Sequence, residues 1–275
     1  MTIVVEPSPR GTIMTESRRR AGEWIPALLV FVLGIVAWQL AISIFNIQRF
    51  LLPKPGAIVA KFWDDRSILW HAGWFTFKEA VGGFVIGSGA AIVLATLLAR
   101  FRRLGAALMP VAIAANAIPI IAFAPIFNAW FDPLAATSKM AVAAVLCFFP
   151  VLVNTLRGLT SVRPAQVELM RSYAAGEIQI FRRLRFPTAL PYVFAALKVA
   201  TVLAMIGAIV GEYFGGSQEA LGIQIKNSAA LFDFETAWAA ILVASILGIA
   251  FYLAVAVAEK FALQWDPTRQ ERGSG

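Results

Sequence analysis

Polar side chains inside long apolar runs are where this sequence has chemistry to offer, because each needs a partner or a task once water is removed. Asn116 precedes Pro119 in one run, and Asn154 lies near the end of another. Lys198 sits about two turns into a third run, which Glu212 closes. An amide beside the backbone groups freed at Pro119 can line a solute path. Asn154 suits a bond between helices and is a second path candidate. Lys198 can snorkel to the nearer surface or line a gate. Glu212 reads either as a solvated helix end or as a contact for an external protein. None of these residues sets up catalysis. The sequence has no cluster of carboxylates, histidines and a base-activated nucleophile. His71 is the single histidine and reads as polar surface, and no metal-ligand spacing occurs. There is no phosphate-binding glycine loop, so ATP is not expected to bind this chain.

The elements that position these residues are membrane spans. Of 275 residues, 59% are apolar and 15% charged, against about a quarter charged in an ordinary soluble domain. The net charge of +8 is explained by Lys and Arg gathering on one side of a bilayer, and no nucleic-acid motif supports the other reading. Cys147 is the one cysteine and lies in an apolar run, where it packs. Six spans are predicted, at 25–47, 81–99, 108–130, 140–156, 192–211 and 237–258. The first is too long for a signal-peptide core and lacks a small-residue cleavage site. Gly83 and Gly87 give the second a face for close helix contact. Pro110, Pro119 and Pro125 predict a kinked or broken third span. Between spans, 51–63 contains a short amphipathic surface helix, and 212–236 has no regular pattern. Sixteen Lys and Arg fall in the segments assigned inside and seven in those assigned outside. That bias places both termini in the cytoplasm, with 1–24 as a cytoplasmic segment, 25–258 as the transmembrane domain and 259–275 as a cytoplasmic tail.

The longest charged interruption is 163–191, RPAQVELMRSYAAGEIQIFRRLRFPTALP. Its excess of arginine marks it as cytoplasmic. Val167, Met170 and Ala174, then Ile178, Phe181 and Leu184, recur at helical spacing. Two short amphipathic helices meeting near Ala175 and Gly176 are expected, with Pro187 and Pro191 ending the pattern. With no membrane to lie in, their apolar faces call for a partner protein.

This stretch resembles the cytoplasmic docking loop of permease subunits of binding-protein-dependent ABC importers. That loop reads E-A-A, three residues, G, nine residues, then I-x-L-P. Here the frame is Glu168-Leu169-Met170, three residues, Ala174, nine residues, then Leu184-Arg185-Phe186-Pro187. Alanine replaces the glycine at 174, which moves the expected sharp turn to Gly176. Leu52-Pro53-Lys54-Pro55 resembles the LPxP element after the first span, and the likeness covers about residue 50 to the C-terminus. It is strongest to the nitrate, sulfonate, taurine and thiamine-precursor branch.

The resemblance implies an all-α polytopic membrane protein of about six transmembrane helices with the type I importer permease fold. It implies an inner-membrane location and a pathway formed by two permease copies, or by one copy and a paralogue, embedded in lipid. Two ABC ATPase subunits, holding the ATP and Mg, would grip the loop. The docking residues would be Glu168, Arg171, Ala174, Ala175, Gly176, Glu177, Phe181, Arg182 and Pro187. An extracytoplasmic solute-binding protein would deliver the solute, with Glu212 as a contact. The solute would be a small organic nutrient or anion: a thiamine pyrimidine precursor, riboflavin, a sulfonate such as taurine, or nitrate. The alternative is a stand-alone secondary transporter or channel, which predicts intramembrane carboxylates or inverted repeats; the sequence shows no repeat, and such a protein has no use for a docking loop.

Overall fold

The computed structural model describes residues 10–48, 51–115 and 119–264. Among these residues every regular element is helical: α1 Arg10–Ile44, α2 Pro55–Asp64, α3 Arg66–Arg100, α4 Arg102–Ala115, α5 Ala124–Phe131, α6 Ala136–Thr160, α7 Pro164–Ser172, α8 Glu177–Ile180, α9 Phe186–Phe214, α10 Leu221–Ala230 and α11 Phe234–Ala262. A 3-10 turn, Ile120–Phe123, leads into α5, and a π turn, Phe181–Arg185, joins α8 to α9. Four helical stretches are long and apolar enough to cross a membrane, Arg66–Arg100, Ala136–Thr160, Glu177–Phe214 and Phe234–Ala262. Shorter apolar helices, Leu28–Ile44 and Ile121–Phe131, belong to the first and third expected spans. The chain is a multi-pass membrane protein.

Several element bounds differ from expectation for identifiable reasons. The helix of the second span begins at Arg66 rather than 81, because no proline interrupts 66–100. The third span is broken: α4 carries Pro110 inside it, Pro119 caps the 3-10 turn, and Pro125 occupies the first turn of α5. Helix α10 lies where no regular pattern was legible. Its first N–H groups are taken by side chains from other elements, Leu221 by Thr76 Oγ1 at 3.1 Å and Gly222 by Glu212 Oε2 at 2.8 Å. Helix α11 is capped locally, with Asp233 accepting from the Thr236 N–H at 3.2 Å and from its hydroxyl at 2.6 Å.

The core is a close triangle of α3, α6 and α9, with α11 packed on α9 and α3. Small residues make that approach possible. A Cβ on Gly83 would lie 2.4 Å from Ala143 Cβ, and one on Gly87 only 2.2 Å from the Ala144 carbonyl oxygen. A Cβ on Gly207 of α9 would lie 2.6 Å from the Cα of the same Ala143. Phe251 of α11 closes the α3 side, edge-on to Phe77 and Phe84 with ring centroids at 5.5 and 4.9 Å. Val85, Val93, Leu97, Ile249 and Leu253 point outward and are exposed, which suits a lipid-facing surface.

Candidate functional site

The 163–191 loop is built on a bend fixed by backbone hydrogen bonds. Helix α7 opens with Pro164 in its first turn and the Arg163 N–H bonded to Gln166 Oε1 at 3.4 Å. At its other end the Ala175 N–H reaches the Met170 carbonyl at 3.0 Å and the Ala174 N–H reaches that of Arg171 at 2.9 Å. That pair of bonds is a Schellman cap, which needs its C′ residue in the left-handed region. The C′ residue is Ala174, at φ 57°. The sharp turn therefore stays at 174, and the expectation that Gly176 takes it over is corrected. Gly176 has φ −71° and ψ 165°, and its N–H is held by Gln179 Oε1 at 3.1 Å. The bend is fastened across its mouth by Arg171 and Glu177, whose charged atoms are 2.7 Å apart.

The second half of the loop also differs from expectation. Pro187 and Pro191 do not end it, because α8, the π turn and α9 form one continuous helix, Glu177–Phe214. The widened turn resets the ladder, with the Phe186 N–H bonded to the Phe181 carbonyl. Pro187 then falls in the first turn of α9, where a missing N–H is tolerated. Of the apolar positions expected to face a partner protein, Val167, Met170, Phe181 and Leu184 are half-buried within the chain itself, Ala174 and Ile178 are exposed, and Ile180, outside that pattern, is buried.

Glu168 is exposed and lines a polar cleft of about 210 Å³ with Thr160, Val167, Arg171 and Arg185. Arg182 is exposed, while Ala175 and Pro187 are half-buried. Leu169, Tyr173 and Ile178 are large apolar side chains left 59%, 80% and 76% exposed. The loop thus presents apolar surface and both signs of charge on a bend with a defined shape.

The polar residues within the spans fall in separate places. Lys198 donates to Glu259 of α11 at 2.8 Å, so it joins helices near the loop end. Asn154 bonds back to the Pro150 carbonyl at 2.8 Å, within its own helix rather than between helices as expected. Pro119 is exposed at the break in the third span, and Asn116 lies outside the described residues. Glu212 is wholly buried at the end of the bundle away from the loop. It cannot be a surface contact for an external protein, because its carboxylate holds the start of α10. Sequence reading missed Glu79, Lys139 and Asn128, which are buried around it. The available signal was that two acids and a lysine sit at the same end of three neighbouring spans. Among the described residues no group of His, Cys, Asp and Glu is placed to hold a metal ion.

Residues 83–262 match the family described as the binding-protein-dependent transport system inner membrane component. The chain belongs to this family. The matched region runs from the Gly83 contact on α3 through the loop to the end of α11. The chain is 35% identical over 252 residues to a formylaminopyrimidine transport permease protein of Halalkalibacterium halodurans, covering 90% of this chain and 98% of the relative. It is 32% identical over 249 residues to a riboflavin transport system permease protein of Chloroflexus aurantiacus, covering 89% and 92%. A putative aliphatic sulfonates transport permease protein of Escherichia coli is 28% identical over 238 residues, covering 85% and 89%. The chain is an ABC importer permease of the nitrate, sulfonate and thiamine-precursor branch, with the type I permease fold. As a binding-protein-dependent permease it is a transport subunit rather than an enzyme.

Proposed function

We propose that this permease couples to an ABC ATPase through the bend at 163–191 and forms, with a second permease copy, the pathway for a small heteroaromatic nutrient. The observation that carries the coupling is the continuity of Glu177–Phe214. A push on the exposed bend is delivered along one helix into the packed triangle, with no slack linker between. On this reading the loop end and both termini face the cytoplasm, and 1–24 and 259–275 flank a transmembrane domain of 25–258. An extracytoplasmic binding protein then meets the opposite end, and ATP and Mg stay with the partner subunit. ATP binding draws the two ATPases together and moves the two bends, switching the pathway between its two open states. Asn116, Pro119, Asn154 and Lys198 remain the pathway candidates. The solute reading rests on the riboflavin and formylaminopyrimidine permeases being more similar to this chain than the sulfonate and nitrate permeases.

The test is Glu168→Lys against Glu271→Lys, at matched membrane levels, read by co-purification with the ATPase and by ATP-driven uptake. Reversing a buried contact charge costs about 2–5 kcal/mol, so Glu168→Lys is expected to weaken assembly by roughly 30-fold to several-thousand-fold. Glu271→Lys is expected to behave as the unmodified protein. Normal assembly and uptake by Glu168→Lys would place the docking surface elsewhere. Affinity of the partner binding protein for riboflavin, a pyrimidine precursor, taurine and nitrate tests the solute.

A further inference from the structure

The end of the bundle opposite the loop holds ionisable side chains that docking does not use. Glu79 of α3, Lys139 of α6 and Glu212 of α9 are 2%, 1% and 0% exposed. Small residues bring the three helices close at this end. Gly211 lies against Lys139, its would-be Cβ 3.1 Å from Lys139 Cγ, and Thr76 sits one turn before Glu79 beside the start of α10. The Lys139 ammonium donates to the backbone carbonyls of Pro133 and Ala135. Asn128 gives an amide hydrogen to the Gly211 carbonyl at 3.2 Å. Glu212 receives the Gly222 N–H at 2.8 Å, with the Thr76 hydroxyl also beside it.

Those bonds leave buried acceptors over. Both oxygens of Glu79, Oε1 of Glu212 and Oδ1 of Asn128 are buried with no donor among the described residues. What the Glu79 carboxyl faces is the Glu212 carboxyl. Two ionised carboxylates are acceptors only and cannot bond to each other. Two of them with one ammonium also leave an unbalanced charge in a buried site, which is costly. The other charges near the group are otherwise occupied: Lys78 of α3 lies over the Phe75 ring at 5.7 Å, and Asp132 ahead of α6 accepts the Leu134 N–H at 2.8 Å.

We propose that Glu79 holds a proton at neutral pH and donates it to Glu212, so that Glu79, Glu212 and Lys139 form a neutral, proton-binding triad. The proton belongs on Glu79 because the N–H of Gly222 already favours the charged form of Glu212, while no donor among the described residues reaches Glu79. The shared hydrogen ties α3 to α9, Glu212 holds the first turn of α10, and Lys139 of α6 balances the remaining charge.

The test is infrared spectroscopy of the full chain, purified in detergent at neutral pH, with Glu79→Gln and the exposed control Glu219→Gln. The expected result is a protonated-carboxyl stretch that is kept in Glu219→Gln and lost in Glu79→Gln. Absence of that band in the unmodified protein, or its survival in Glu79→Gln, would overturn the proposal. The amide of glutamine reproduces the protonated acid and can donate to Glu212. Glu79→Gln is therefore expected within about twofold of the normal membrane level, and its failure to accumulate would also count against the triad. Lys139→Met is expected to lower that level at least about tenfold, with recovery when Glu212→Gln is added, because each change then removes one of a balanced pair. A normal level of Lys139→Met alone, or no recovery in the double variant, would contradict the charge balance.

Discussion

The Lys198 ammonium stands 2.8 Å from the Glu259 carboxylate, joining α9, the helix that continues from the bend, to α11. The two side chains are 22% and 9% exposed, so the contact is shielded from water and strengthened by it.

Removing one partner should therefore cost more than a surface ion pair does. Lys198→Met is expected to lower stability by about 1.5–3 kcal/mol, the range for hydrogen bonds to charged groups. Thermal unfolding in detergent of Lys198→Met, Glu259→Gln and the double variant measures the coupling. A coupling near zero would mean the pair is incidental to the fold.

The turn at Ala174 gives a prediction of opposite sign. An alanine at φ 57° is strained where glycine is not. Ala174→Gly is expected to stabilise the bend by about 0.5–1 kcal/mol. Gly176→Ala is expected to change it by less than about 0.5 kcal/mol, since a Cβ there meets open space at an ordinary φ. Protease cleavage within the loop, slower for Ala174→Gly and unchanged for Gly176→Ala, is the readout.

The glycines of α3 separate by position. Gly87→Ala drives a methyl to within 2.2 Å of the Ala144 carbonyl oxygen, so α3 and α6 must part. The expected loss is at least about 2 kcal/mol. Gly89→Ala meets nothing within 4 Å and should stabilise the helix by up to about 1 kcal/mol. Thermal unfolding distinguishes them, and equal effects would mean the close contact is not made.

On α2, Lys61 lies 3.0 Å from Asp65 one turn on. The hydrogen bond to Asp65 raises the Lys61 ammonium above its ordinary value of 10.5. A raised lysine stabilises fully below the unfolded value and loses that contribution as pH rises through the higher folded value. Proteolysis near α2 is thus expected to increase above about pH 10.5, and in Asp65→Asn to be raised already at neutral pH. No difference between the two proteins at neutral pH would remove the pair as a support of α2.

The sequence by itself determined whatever depends on local pattern. Apolar length marked the spans, three prolines marked the break between α4 and α5, and Gly83 with Gly87 marked the face that meets Ala143 and Ala144. The frame from Glu168 to Pro187 located the loop. Tertiary structure decided what depends on partners distant in the chain. Two points were local yet not legible from residue type: the π turn that carries the helix through Pro187, and the cap bonds that hold Ala174 in a left-handed turn. Helix α10 forms because Thr76, 145 residues away, and Glu212 satisfy its first N–H groups. Glu212 looked like a solvated helix end because residue type and spacing do not reveal burial. Only the packing of α3 and α6 against α9 encloses it near Glu79 and Lys139, at sites where each would otherwise have been hydrated.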